Sequence, residues 1–277
     1  MSLSESWTLD NPPDAPWTPR YLAAIELAIA AGNSTLPMFY RRDFSVQRKA
    51  DRSPVTAADQ KAERLIRDAV QSRFPGDAIL GEEFGEQPGE GDYRWIIDPI
   101  DGTKSFITGV PLYSTLVAVN YKNTPLVGII YMPALGAIAV AAAGHGAWTN
   151  QDGGCVRARV SEVDTLDDAA FVTTQRDTFD VVKGTRLFEA FERRCAVTRT
   201  WGDGYGYFLV ATGRAEVMID PIVNAWDIAA VAPVIIEDGG RCTDWNFEPR
   251  LDSGNAIATN GRLFEAVRSL SRDSAVV

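Results

Sequence analysis

The sequence has a single histidine and three cysteines, and this scarcity excludes several kinds of catalytic and structural site. His145 lies in a G-H-G stretch typical of a turn, so neither a Ser-His-Asp triad nor a histidine-rich metal centre is expected. The cysteines, Cys155, Cys195 and Cys242, are far apart, odd in number and without zinc-ligand spacing. They are typical of a reduced cytoplasmic protein, and we predict that location.

Long apolar runs and basic clusters are absent as well. The first residues have no basic segment followed by an apolar one, and no apolar run reaches membrane-spanning length, so neither a signal peptide nor a membrane segment is predicted. The net charge of −10 argues against a nucleic-acid-binding surface. The acidity reflects either solubility alone or a cluster of carboxylates that holds cations.

The 277 residues, of which 45% are hydrophobic, suffice for a large core without disulfides. We predict a loose arm over residues 1–16, an α+β half rich in antiparallel strands over 17–150, and an α/β half over 151–277. A strand meander is expected at 114–121, 125–131 and 137–143. Hydrophobic spacing predicts helices at residues 16–40, 56–74, 179–194, 204–213, 225–238 and 261–270.

The most informative segment reads W-I-I-D-P-I-D-G-T-K-S-F. Its apolar strand leads to Asp98, and a turn places Asp101 where both carboxylates can face one hard cation. The carbonyl of Ile100 is a candidate extra oxygen ligand. Gly102 and Thr103 open a helix whose first N–H groups form an anion site beside the cation site. A capped turn, in which Asp98 binds only backbone amides, explains the same pattern.

Two further segments carry acidic residues in suggestive positions. In I-L-G-E-E-F, Glu82 and Glu83 follow an apolar strand, a pattern also found in solvated loops. In N-A-W-D-I-A-A-V, Asp227 lies in the first turn of an apolar helix, where an aspartate is most often a cap. Neither segment identifies a metal site by itself.

Taken together, G-E-E, D-P-I-D-G-T and W-D resemble, in order and spacing, the inositol monophosphatase-like family of metal-dependent phosphatases. The resemblance extends to K-A-D-R-S-P-V-T-A-A-D, which includes Lys49 and Asp51, and to the C-terminal D-G-G, so it covers nearly the whole chain. It implies an α/β fold of the inositol monophosphatase and fructose bisphosphatase type, a layered α-β-α-β-α sandwich. It also implies a homodimer.

The resemblance further implies metal-assisted hydrolysis of a small phosphate monoester by two or three Mg²⁺ ions, for which Mn²⁺ can substitute. The implied metal ligands are Glu82, Asp98, the carbonyl of Ile100, Asp101 and Asp227. Glu82 would also accept a proton from the attacking water, which Thr103, hydrogen-bonded to Asp59, would orient. The amides of Gly102 and Thr103 would hold the phosphoryl oxygens, while an ion neutralises the leaving group.

The segment R-T-W-G-D-G-Y-G-Y resembles the histidinol-phosphatase branch of this family, whose substrate carries an amine and an imidazole. Asp203 would attract that cationic leaving group, and Asp220 matches a family position that contacts it. Arg199 is a candidate to order these carboxylates or to touch the substrate. Asp101 and Asp227 would also contact the substrate. Locally, Asp203 also fits a helix N-cap, and the aromatic residues of the segment also fit the core.

The expected reaction is hydrolysis of L-histidinol phosphate to L-histidinol and phosphate, a step of histidine biosynthesis. Inositol 1-phosphate or a broad range of sugar phosphates is the alternative. Bisphosphates are less favoured because no basic cluster suits a second phosphate. A non-catalytic protein that binds phosphorylated metabolites is the alternative outside enzymes, although all the expected ligands are present.

Overall fold

The computed structural model describes residues 12–42, 44–48, 54–151 and 154–274. Lys49, Asp51 and residues 1–11 of the predicted arm lie outside the described residues. The α-helices are α1 (Thr18–Arg41), α2 (Ala57–Arg73), α3 (Thr103–Thr108), α4 (Asp177–Val181), α5 (Thr185–Arg194), α6 (Asp203–Ala211), α7 (Ala225–Ile228), α8 (Val231–Glu237) and α9 (Phe264–Ser274). A short 3₁₀ helix spans Leu166–Asp168.

The strands form an eight-stranded sheet, a five-stranded sheet and a small hairpin. The strands are β1 (Val46–Arg48), β2 (Pro54–Thr56), β3 (Ala78–Gly81), β4 (Gly85–Gln87), β5 (Tyr93–Asp101), β6 (Ser114–Tyr121), β7 (Thr124–Met132), β8 (Ala137–Ala142), β9 (Gly146–Gln151), β10 (Gly154–Arg157), β11 (Ala170–Val172), β12 (Val197–Arg199), β13 (Val217–Asp220), β14 (Arg241–Thr243) and β15 (Ala256–Thr259). The large sheet has the order β10-β9-β8-β7-β6-β5-β3-β4, and the smaller one β12-β11-β13-β15-β14.

The large sheet is buried on both faces, which explains its nearly continuous apolar strands. Along β6, Val117 and Val119 pack with α1 and α2, whereas Leu116 and Ala118 point to the opposite face. Only β3 and β5 pair in parallel within this sheet; its other pairs are antiparallel. The predicted antiparallel meander is therefore confirmed.

Five layers follow from these packed faces. α1 and α2 cover the outer face of the large sheet, and α6 and α8 fill the space between the two sheets. α5 and α9 cover the outer face of the five-stranded sheet. This arrangement is the predicted α-β-α-β-α sandwich. The large sheet continues past residue 150 to β10. The predicted division of the chain into two halves near residue 150 stays a prediction.

Two predicted helices are each broken into two. The helix predicted at 179–194 is interrupted after Val181, where Lys183 has a φ of 61° and Gly184 packs closely on the ring of Trp245. The helix predicted at 225–238 is interrupted after Ile228. Pro233 explains this second break, because a proline inside a helix clashes with the carbonyl four residues earlier.

The predicted absence of an apolar segment of membrane-spanning length is wrong for α1, which is long and apolar enough by length and composition alone. More than half of its apolar window is buried inside the protein. Its residues Leu27, Ala28 and Ile29 are nearly inaccessible and pack with α2 and the large sheet. The apolar composition of α1 is that of a core helix, because α1 covers a buried face of the large sheet.

Candidate active site

The ends of the two parallel strands bring Glu82 and Asp98 together. Gly81, the last residue of β3, pairs with Ile97 of β5, and the N–H of Glu82 donates to the carbonyl of Ile97 at 3.2 Å. Parallel strands end at the same edge of a sheet, so the residues that follow this pair are neighbours. The side chains of Glu82 and Asp98 accordingly contact each other through a hydrogen bond.

An irregularity in the pairing of β5 with β6 turns Asp101 toward the same point. Asp98 Oδ1 accepts a hydrogen bond from the N–H of Ile100 at 3.1 Å, which fixes the turn. Asp101 Oδ2 accepts from Ser114 Oγ at 2.7 Å and from the N–H of Gly204. The capped-turn interpretation of Asp98 is therefore correct for one of its oxygens, and it does not exclude a metal-binding role.

Asp227 reaches the same point from the second half of the chain. It lies in the first turn of α7 and forms a capping box with Asn224, whose N–H donates to Asp227 Oδ2 at 2.7 Å. One carboxylate oxygen from each of Asp98, Asp101 and Asp227 lies within 4.8 Å of the other two. The structure thus brings together three residues predicted as metal ligands, with Glu82 in contact with one of them. We call these four residues the carboxylate cage.

Burial and mutual repulsion raise the pKa values in the carboxylate cage. Burial, followed by the charges of Glu82, Asp101 and Asp227, raises the pKa of Asp98 well above its ordinary range. Burial and the charges of Asp203 and Asp227 do the same for Asp101, and burial raises the pKa of Asp227 to about 6. A divalent cation offsets this repulsion, and an all-oxygen donor set suits a hard ion such as Mg²⁺. The residues therefore fit the metal that the sequence predicts.

The predicted hydrogen bond between Thr103 and Asp59 is not formed. Thr103 Oγ1 donates to the carbonyl of Ile100 at 3.2 Å. Asp59 Oδ2 accepts from the N–H and hydroxyl of Thr56 at 2.8 and 2.6 Å because Asp59 completes the capping box of α2. Asp59 Oδ1 is buried without a hydrogen-bond partner, and burial raises the pKa of Asp59 to about 6. One oxygen of Asp59 thus remains available to a further donor.

Asp203 lies beside the D-P-I-D-G-T turn and is not the cap of its helix. Gly202 occupies the cap position, and Asp203 begins α6 with a φ of 52° and no side-chain capping bond. A Cβ added to Gly102 would lie 2.9 Å from Asp203 Oδ2, so this carboxylate packs directly against Gly102. Burial, with repulsion from Asp220 and Asp227, raises the pKa of Asp203 to about 7. The alternative interpretation as an N-cap is wrong.

Asp220 and Arg199 differ in how they relate to this region. Asp220 accepts hydrogen bonds from the N–H and Oγ1 of Thr174 at 2.9 and 3.1 Å and from the hydroxyl of Tyr207 at 3.2 Å. Tyr207 is buried, as core packing predicted, whereas Trp201 is 43% exposed. The guanidinium of Arg199 contacts the carbonyl of Thr198 and the ring of Trp201. Within the described residues it forms no ion pair with the carboxylates.

A cavity of about 250 Å³ opens between α3 and the start of α6. Its lining includes Gly102, Thr103 and Asp203. Lys104 and Gln175 also line it, and Lys104 Nζ donates a hydrogen bond to Gln175 Oε1. The cavity adjoins the residues predicted to bind phosphate, so it can accept the remainder of an ester. Sequence analysis missed Lys104 and Gln175 because neither residue type suggests a site without the fold.

Glu63 is a second residue that sequence analysis missed. It is fully buried on α2, pairs with Arg67 at 2.7 Å and accepts hydrogen bonds from the N–H groups of Glu83 and Phe84 at 2.7 and 3.2 Å. A Cβ added to Gly81 would lie 2.0 Å from Glu63 Oε1, so Gly81 allows this approach. In sequence, Glu63 and Arg67 have the spacing of an ordinary surface pair. Glu63 holds the turn that carries Glu82.

We expect Glu63→Gln to destabilise the protein by about 1–3 kcal/mol, because the amide leaves Arg67 buried without a counter-charge and places a donor against a backbone N–H. The kcat of the phosphatase reaction should also fall, because the G-E-E turn loses one of its two hydrogen bonds to residue 63. Urea unfolding and steady-state kinetics measure the two effects. Glu189→Gln, which alters an exposed pair with Arg193, is the matched control. Wild-type kcat in Glu63→Gln would contradict the positioning role.

Comparisons with known proteins agree with this architecture. The chain is 41% identical to a histidinol-phosphatase of Chlorobaculum parvum over 87% of this chain and 92% of that protein. It is 39% identical to a histidinol-phosphatase of Streptomyces coelicolor over 86% of this chain and 91% of that protein. The structure of extragenic suppressor protein suhB from Bartonella henselae superposes with a TM-score of 0.85 at 25% identity, covering 91% of this chain and 98% of that one.

The layered fold and the carboxylate cage define a metal-dependent phosphatase. Residues 17–274 match the model of the inositol monophosphatase family, and the chain belongs to that family. The protein is accordingly a phosphoric monoester hydrolase that acts on a small phosphorylated substrate. The predicted family and enzyme class are confirmed.

Proposed function

We propose that this phosphatase hydrolyses L-histidinol phosphate to L-histidinol and inorganic phosphate, with Mg²⁺ in the carboxylate cage. The observation that carries the proposal is the position of Asp203, whose carboxylate lies against Gly102 at the rim of the 250 Å³ cavity. A negative charge at this position favours a leaving group that carries a positive charge. Histidinol phosphate supplies one through its amine and, below neutral pH, its imidazole.

Mg²⁺ would be held by Glu82, Asp98, Asp101, Asp227 and the carbonyl of Ile100. When bound, the ions supply Lewis-acid chemistry, which activates water and neutralises charge on phosphate oxygens. We propose two or three ions, with Mn²⁺ as a substitute. The acidic cage by itself repels a phosphate ester, so the protein should bind substrate well only after the metal is loaded.

The residues around the cage would bind and orient the phosphate. α3 begins at Thr103, and the first N–H groups of a helix have no acceptor within it, so Gly102 and Thr103 present free donors to phosphoryl oxygens. Glu82, which is half-buried beside Asp98, would take the proton of the attacking water. Asp59, with an unpartnered oxygen, would help Thr103 orient that water once the hydroxyl turns from Ile100.

The leaving group would be bound by the second half of the chain. Thr174 Oγ1 accepts a hydrogen bond from the N–H of Asp203 at 2.7 Å and donates to Asp220 at 3.1 Å. Asp220 thereby positions Asp203 through Thr174, in addition to its predicted contact with the leaving group. Of the two roles predicted for Arg199, we propose only the contact with the substrate. Asp220 is buried and Asp203 is partly buried, which strengthens a charge interaction there.

The names of the relatives support this substrate. Two histidinol-phosphatases cover most of this chain at 41% and 39% identity. Inositol 1-phosphate is the alternative substrate, because the family as a whole carries that name. We propose in addition a cytoplasmic location, which the three widely separated cysteines favour, and a homodimer.

A direct test compares kcat/KM for histidinol phosphate and inositol 1-phosphate in the presence of Mg²⁺. We expect histidinol phosphate to be preferred by at least about 100-fold, in line with the cost of leaving a charged partner unpaired in a partly buried site. EDTA should abolish phosphate release, and excess Mg²⁺ should restore it. A preference for inositol 1-phosphate would refute the substrate, and metal-independent turnover would refute the mechanism.

A further inference from the structure

A second cavity, of about 790 Å³, lies in a different layer of the fold from the carboxylate cage. It opens on the outer face of the five-stranded sheet, between α5, α9 and the loop that joins β14 to β15. The cage lies at the inner side of this sheet, so the two sites are separated by a packed layer. The volume is within the range of cavities that bind small molecules.

The walls of this outer cavity are apolar and partly aromatic. Leu187 and Ile257 form its aliphatic side, and Trp245 and Phe247 form its aromatic side. The ring of Trp245 is held in place by Phe179, at a centroid distance of 5.8 Å, and by the close approach of Gly184. Because the rings are held by neighbours, the cavity offers a preformed flat surface to a ring-shaped ligand.

Two cations also line the outer cavity. Lys183 and Arg272 are exposed at its edge and form no ion pair within the part of the chain that the structure describes. None of the described residues that line the cavity is an aspartate or a glutamate. In a protein with a net charge of −10, an acid-free lining with two positive charges favours an anion.

We propose that the outer cavity is a second ligand site, which binds a small organic anion made of a flat apolar ring and a carboxylate, sulfonate or phosphate group. The ring packs on Trp245 and Phe247. The anionic group pairs with Lys183 and Arg272. The outer cavity and the 250 Å³ cavity share no lining residue, so this site is separate from the substrate site.

The test titrates naphthalene-1-sulfonate into the intact protein by isothermal calorimetry. EDTA is present throughout, because the metal-free carboxylate cage repels an anion. We expect saturable binding of one molecule per chain. The double variant Lys183→Gln and Arg272→Gln should weaken it at least about tenfold, and Trp245→Leu, which removes the flat ring, about threefold or more.

The matched control is Lys122→Gln with Arg193→Gln, which removes two exposed cations elsewhere and should leave binding unchanged. Unaltered phosphatase activity of every variant, measured with Mg²⁺, shows that the fold is kept. Absence of saturable binding to the wild-type protein, or full-strength binding to the Lys183 and Arg272 double variant, would overturn the proposal.

Discussion

Replacing Asp98 with asparagine is expected to lower kcat/KM by about a thousandfold or more while the protein stays folded. The amide keeps the shape of the side chain and can still accept the hydrogen bond from the N–H of Ile100. It removes one negative charge from the centre of the carboxylate cage, where Glu82, Asp101 and Asp227 all face Asp98. The loss corresponds to about 4 kcal/mol of transition-state stabilisation. Steady-state kinetics over a Mg²⁺ titration measure it.

The stability of the metal-free protein provides an independent readout of the same variant. The folded-state pKa of Asp227 is about 6, and those of Asp98 and Asp101 are also raised, above an unfolded value of about 3.9. The folded protein therefore binds more protons than the unfolded chain above about pH 4, and its stability falls as pH rises from about 4 to above 6. In EDTA, Asp98→Asn should show a smaller fall and a higher Tm near neutral pH.

Added Mg²⁺ should raise the Tm of the wild-type protein more than that of Asp98→Asn, because an ion that binds the folded state more tightly stabilises it more at the same concentration. The control is Asp92→Asn, which removes an exposed carboxylate paired with Lys122 and should change neither activity nor the Mg²⁺ response. Near-wild-type turnover of Asp98→Asn at saturating Mg²⁺ would exclude Asp98 from the metal site. Loss of stability in EDTA would contradict the repulsion argument.

Sequence reasoning located the ligands of the cage because each follows a local rule. Asp98 and Glu82 both stand at the end of an apolar strand, and Asp227 stands at the start of an apolar helix. Such positions can be read from hydrophobic spacing and turn residues. The register of β3 against β5, which makes Glu82 the neighbour of Asp98, is not local and was supplied by the family resemblance.

The residues that sequence reasoning missed act through contacts between distant segments. Glu63 holds the G-E-E turn from a different helix, and nothing in its amphipathic surroundings separates it from a surface residue. The hydroxyl of Thr103 was expected to reach Asp59, but the capping box of α2 engages one oxygen of that residue. A hydroxyl's choice between two nearby acceptors depends on distances of about an ångström, which spacing along the chain does not encode.

The start of α6 illustrates the same limit. From sequence, an aspartate after glycine before an apolar helix fits an N-cap, yet the left-handed φ of Asp203 places its carboxylate against Gly102. A non-glycine residue in that conformation costs free energy, and such strain is common at functional sites. Gly102, which serves the turn, therefore also lies against a carboxylate from a distant segment of the chain.

Replacing Asp203 with asparagine is the sharpest test of the proposed substrate, because it should change specificity more than activity. We expect kcat/KM for histidinol phosphate to fall by about 10- to 100-fold, as the loss of a charged hydrogen-bond partner in a partly buried site predicts. The kcat/KM for inositol 1-phosphate, which has no positive charge, should change by less than about threefold. The ratio of the two values separates recognition from general damage to the site.

Asp252→Asn, in an exposed loop, is the matched control and should leave both values unchanged. The pH profile provides a second criterion, since a buried carboxylate whose pKa is raised should bind a cationic leaving group better as pH rises through that pKa. Asparagine removes that dependence for histidinol phosphate alone. An equal loss of kcat/KM on both esters would mean that Asp203 supports the metal cage and does not recognise the leaving group. The protein would then remain a phosphatase, and any preference for a cationic ester would have another origin.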